Sequence, residues 1–186
     1  MADTYHELII TGDHKISRAY IEGFMRGKNI RSGVIFCKDY HISSKHHIKG
    51  PDFLHEHLHL LCLAGVRASI QSAVKRAPEG YKMEIETDRA LKSIIFDFKF
   101  EAFSKEIGAK LKKIFHNPPK GVEINDLEDK EEIRPDAKGV ERYAHLHEYE
   151  YRGSGKVTGN VEQVIFFHKK LKDLELVDAH DLHLEF

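Results

Sequence analysis

Two copies of one tripeptide, His57-Leu58-His59 and His145-Leu146-His147, stand 88 residues apart. The same spacing relates Gly65 to Gly153 and Gly33-Val34 to Gly121-Val122. Separate landmarks sharing one offset read as an internal duplication. That constrains the fold strongly, because whatever order of elements the first half adopts, the second must be able to adopt as well. Residues two apart on a strand point to the same side, so each tripeptide sets two imidazoles next to each other.

Periodicity supplies the element order. Residues 5–11 alternate, with His6, Leu8 and Ile10 opposite Tyr5, Glu7, Ile9 and Thr11, and so predict a strand. Asp13 is placed to cap a helix carrying Ile16, Tyr20 and Phe24, which Gly27 stops. Residues 33–38 predict a second strand, and 53–63 a third with Leu58, Leu60 and Cys62 on its apolar face and His57 and His59 on the other. A helical stripe from Val66 to Ala77 and an alternating run at 81–87 complete β-α-β-β-α-β, the ferredoxin-like order. Strand 94–103, a helix after Ser104, strand 121–127, a strand holding the second tripeptide, a helix from Val161 and a strand over 176–186 repeat it. The charged stretch 128–138 predicts a solvated loop.

The expected fold is therefore α+β: tandem duplicated ferredoxin-like units with antiparallel sheets, residues 1–90 and 91–186. In each unit two helices cover one sheet face and leave the other to meet the second unit, a second chain, a ligand or water. The element order resembles the broad group of duplicated ferredoxin-like proteins. That group includes dimeric α/β-barrel enzymes, some haem proteins and RNA-processing proteins, so the resemblance is one of architecture and selects no activity.

Composition narrows the classes. The formal net charge is −1, which gives no global electrostatic case for nucleic acid or an anionic membrane. No apolar run approaches the roughly 20 residues of a membrane span. The start of the chain lacks the basic, apolar, small-residue order of a signal peptide, and Cys37 and Cys62 form no disulfide framework. A cytoplasmic protein is expected. Histidine is the outlier at 14 residues of 186.

That excess directs attention to metal chemistry. Two imidazoles on one strand face can share a divalent ion, which usually takes a carboxylate as well. The expected metal ligands are His57, His59, His145 and His147, with Glu7 and Asp97 as carboxylate ligands or a general base, for Zn, Mn or Fe. The alternative is a non-catalytic module that binds a small molecule or assembles as a homo-oligomer, its histidines serving as polar groups at an interface. An interior haem or organic cofactor is a third option. The segment 153–160 reads as a glycine-rich turn, in which Gly155, Lys156 and the helix cap Asn160 offer donors to an anion. It is not a phosphate-binding P-loop, since Glu150 stands where that motif needs glycine. Cys62 falls on an apolar face and reads as packing.

Overall fold

In the computed structural model, which describes residues 4–30, 33–36, 42–44, 57–134 and 148–186, the chain divides into two units. Residues 1–93 with 183–186 form unit 1, and residues 94–182 form unit 2.

Unit 1 contains β1 (Tyr5–Thr11), α1 (His14–Gly27), β2 (Val34–Phe36), β3 (Ile42–Ser44), β4 (His57–Leu63), α2 (Ala64–Lys75) and β5 (Glu84–Ala90). Its sheet runs β2-β4-β1-β5, with every pairing antiparallel. Alternation decides which residues meet the helices. Leu8, Ile10, Leu58, Leu60 and Cys62 pack against Ile21 and Met25 of α1 and Ile70 and Val74 of α2, each large side chain worth about 1.5–3 kcal/mol when fully buried. The predicted cap on α1 forms: the Asp13 carboxylate accepts from the amides of Lys15 and Ile16 at 2.9 and 3.0 Å. Burial pushes the Cys62 thiol up to about 12, with the nearby Asp88 carboxylate adding to it, which suits packing rather than thiolate chemistry.

Unit 2 contains β6 (Ser93–Ala102), α3 (Lys105–His116), β7 (Val122–Ile133), β8 (Tyr149–Gly159), α4 (Val161–Lys172) and β9 (Val177–Ala179). Its strands β6, β8 and β7 are neighbours in that order, and β9 pairs with the other edge of β6. Fourth, first, third, second is also the order in unit 1, so both units are ferredoxin-like. The core of unit 2 is aromatic. Phe98 and Phe100 of β6 lie 4.7 and 4.6 Å from Phe115 of α3, centroid to centroid, within the range where aromatic pairs add about 0.5–1.5 kcal/mol to simple burial. The last strand, β10 (Leu182–Glu185), brings the chain back to unit 1. There Lys92 N donates to Glu185 O at 2.8 Å, and β10 lies beside β3.

Several sequence expectations shift. β5 starts at Glu84 rather than 81 and extends to Ala90, because Tyr81 sits in a short 3-10 turn with its ring edge-on to Tyr20 at 5.6 Å. The final strand expected over 176–186 is two strands, β9 and β10, in different units. The region 128–133 is strand, not loop. Likewise 153–159 is the body of β8 rather than a turn. The glycines there answer to packing: a Cβ on Gly153 would stand 2.3 Å from Glu128 O, and one on Gly155 would stand 2.8 Å from the Phe98 ring.

The 88-residue correspondence survives at Gly33 and Gly121, which precede β2 and β7 with φ of +88° and +87°. It fails at the other glycine pair, since Gly65 is the second residue of α2 and Gly153 lies inside β8. His145 and His147 lie outside the described residues.

Candidate functional site

On unit 1 the sheet face away from α1 and α2 carries the first tripeptide. β1 is flanked by β4 and β5, with Ile9 opposite His59 and Glu7 opposite Arg89. This register brings three chemistry-bearing side chains together. His59 Nε2 lies 2.5 Å from Glu7 Oε1, while Arg89 donates Nε and Nη2 to Glu7 Oε2 at 2.6 and 2.5 Å. Glu7 is 0% exposed and His59 6%. Burial pushes the Glu7 carboxyl up, but the hydrogen bonds and charges of His59 and Arg89 outweigh it and hold it below the usual carboxylate range. Arg89 also lies over the Phe186 ring, 3.8 Å from its centroid.

The sequence-predicted trio His57, His59 and Glu7 thus shares one face, and two of its members touch. His57 lies at the rim, its Nδ1 3.9 Å from Glu86 Oε2. The arrangement does not favour a metal. Both Glu7 oxygens are engaged, and Arg89 already supplies the positive charge a cation would bring. Among the described residues no group of three or more His, Cys, Asp or Glu is arranged to hold a metal ion. Arg89 escaped the sequence reading because the predicted strand stopped at Thr87, two residues short. Extending the alternation would have kept it in phase with Met83 and Ile85, and it is the register shift between Ile9 and Ile10 that brings it opposite Glu7.

Asp97 belongs to unit 2, where it lies directly opposite Lys156 across the β6–β8 pair. With Asp126, Ser154, Gly155 and His180 these two line a shallow pocket of about 380 Å³. Asn160 sits apart at the head of α4, where its side chain accepts from the Glu162 and Gln163 amides at 3.1 and 3.4 Å. Those amides are the donors an anion at this helix end would need. Of the expected anion-binding set, the structure therefore brings Gly155 and Lys156 into one pocket, and Asn160 caps its own helix.

A larger groove, about 1330 Å³, runs along the same sheet face of unit 2 and over the turn before β9. Phe100, Leu127, Leu176 and Val177 give it apolar wall. Its carboxylates are Glu101, Glu128, Asp129, Glu175 and Asp178, and its cations are Lys99, Lys130, Arg152 and Lys172. Most of the cations are drawn outward: Lys130 pairs with Glu132, Arg152 with Glu150 at 3.2 Å, and Lys172 with Asp181 at 3.8 Å. Glu101, Glu128, Glu175 and Asp178 have no ion-pair partner among the described residues.

On the other side of β7 the acids are spoken for. Asp129 accepts from Tyr151 Oη at 2.6 Å and meets His116 Nε2 at 2.7 Å. Glu131 accepts from Tyr149 Oη and from Lys112 Nζ, both at 3.0 Å. Hydrogen bonding to Tyr151, against the opposing effect of burial, holds Asp129 below its ordinary value, and His116 and Lys112 assist. Tyr151 is pushed well up, first by burial and then by Asp129, so it stays a neutral donor.

No family model matches the chain, and no curated protein does. Among solved structures, a protein of unknown function from Galdieria sulphuraria aligns at 11% identity over 99% of both chains with a TM-score of 0.28. A candidate glycine cleavage system transcriptional repressor aligns at 7% identity over 100% of this chain and 99% of its own, with a TM-score of 0.27. Likenesses this weak carry no argument about function, and the ferredoxin-like assignment rests on strand order. Among the described residues no helix is long and apolar enough to cross a membrane.

Proposed function

We propose that the protein is a non-catalytic ligand-binding module whose site is the groove on the sheet face of unit 2. The observation that carries this reading is a groove of about 1330 Å³ in which Glu101, Glu128, Glu175 and Asp178 have no ion-pair partner among the described residues, while three of its four cations are held by acids outside it. An organic cation with a short hydrocarbon body fits that lining. Its amines meet Glu101 and Asp178, and its carbon chain lies on Leu127 and Leu176. The buried Glu7–His59–Arg89 cluster is the natural contrast, because its polar groups satisfy one another and present no reactive group to a substrate.

Isothermal titration of the whole chain with spermidine, and with glutarate as an anionic counterpart, tests the proposal. Spermidine is expected to bind, and the pair Glu101→Gln with Asp178→Asn to weaken it by about tenfold, or 1.4 kcal/mol. Equal affinity for glutarate, or no heat from spermidine at millimolar concentration, overturns it.

A further inference from the structure

The near-zero net charge of the chain conceals a separation of charge within unit 2. Acids dominate β7, on both of its faces, whereas the helix layer is basic. On α3, Lys110 is engaged by Glu106 at 2.7 Å and Lys112 by Glu131. Lys105, Lys113, Lys120, Lys169 and Lys170 are exposed and have no carboxylate within ion-pair distance among the described residues. One turn before the α4 lysines stands Phe166, 69% exposed, the most exposed large apolar side chain among the described residues. Val164, Ile165, Phe167 and Leu171 take the buried side of that helix. Phe166 is out of register with them. Lys169 and Lys170, three and four residues on, share its surface.

We propose that this helix layer binds single-stranded nucleic acid, with Phe166 as a stacking platform and the lysines on the phosphates. A polyanion gains from pairing with lysines chiefly by releasing its condensed counterions, an entropy gain that a folded acidic protein surface does not offer. Screening over about 8 Å at physiological salt confines the influence of the β7 acids, so the local patch decides rather than the sum over the chain. An exposed aromatic ring selects the single strand, since a duplex keeps its base faces stacked internally while an unpaired base can lie on the ring. A lipid surface would call for a continuous apolar helix face, which a single phenylalanine does not make.

Fluorescence anisotropy on the full chain tests this, with a labelled single strand of about 20 nucleotides, several times the shortest site sizes of single-strand binders. The duplex of the same sequence and anionic vesicles of phosphatidylserine serve as comparisons. The single strand is expected to bind most tightly, with affinity falling as salt rises. Phe166→Ala is expected to weaken it by about fivefold or more without altering the salt slope. Lys169→Gln with Lys170→Gln should flatten the slope by about 0.7 for each phosphate that a lysine no longer neutralises. Both sites of substitution are exposed, so circular dichroism should not change. No binding at low salt, equal binding to duplex or vesicles, or indifference to both variants overturns the proposal. The groove lies on the opposite face of unit 2, so the outcome leaves the cation-binding reading to its own test.

Discussion

Glu7 settles the character of its sheet face. A carboxylate with no solvent exposure loses several kcal/mol of hydration and persists only if the fold returns that energy through partners. The Arg89 fork and His59 do so. Arg89→Met should therefore leave a buried, half-satisfied anion and cost about 3–5 kcal/mol in urea unfolding at pH 7. Glu7→Gln with Arg89→Met together should cost less than Arg89→Met alone. The cluster also predicts a pH profile. Since the folded carboxyl lies below its ordinary value, its contribution is fully present above the unfolded value of about 4.3 and is lost as pH falls through the folded one. Glu7→Gln should show a shallower loss of stability on acidification than the parent chain. A cost below about 1 kcal/mol for Arg89→Met, the worth of an exposed pair, would mean that water reaches the cluster. His168 is the other buried histidine, 2% exposed. Its ring donates to His180 O at 2.7 Å, and burial pushes it down, consistent with a neutral ring packed edge-on to Phe96 at 4.7 Å.

At the scale of elements, β7 and β8 show why some of the fold was legible and some was not. A strand with one dry face, such as β6, announces itself by alternation, and the core-facing sides of β1 and β4 are as the sequence predicts, although both faces of those two strands are largely buried. β7 is an edge strand with acids on both faces, so no hydrophobic period marks it, and residues 128–133 read as loop. β8 misleads for the opposite reason. Its glycines look like a turn, but they are there because Phe98, Phe100 and the backbone of β7 occupy the space a side chain would need. Gly153→Ala should therefore destabilise the protein by about 1–3 kcal/mol, the range for overpacking, whereas Ser154→Ala on the wetter face should stay within about 0.5 kcal/mol. Thermal unfolding of the two variants against the parent checks this, and equal shifts would refute the packing account. The first histidine tripeptide was placed correctly on the face opposite the core, yet Arg89, which shares Glu7 with His59, depended on the length of β5 and on a register shift against β1. That shift is a feature of strand pairing, which the side-chain pattern of one strand does not report.

At the scale of the molecule, the repeated strand order was readable because it depends only on the sequence of element types, which periodicity reports. The route of the chain after β9 was not. A single run from 176 to 186 gives no sign that His180-Asp181 divides it and that its end returns to unit 1. That return is held by specific bonds. Ser93 Oγ donates to Glu185 Oε2 at 2.6 Å, Lys92 N donates to Glu185 O, and the Phe186 ring covers Arg89, the same arginine that neutralises Glu7. Unit 1 is therefore built from two distant parts of the chain, and its stability depends on the later part being present. A chain ending at Leu182 should retain hydrogen-exchange protection at the amides of β8 and α3 while losing it at β5 and around Lys92. Exposed to water without Phe186 over it, Arg89 should bind Glu7 less firmly, and the loss should spread to β1 and β4. Unchanged protection across β1, β4 and β5 would show that the segment 183–186 is an ornament on unit 1 rather than part of its structure.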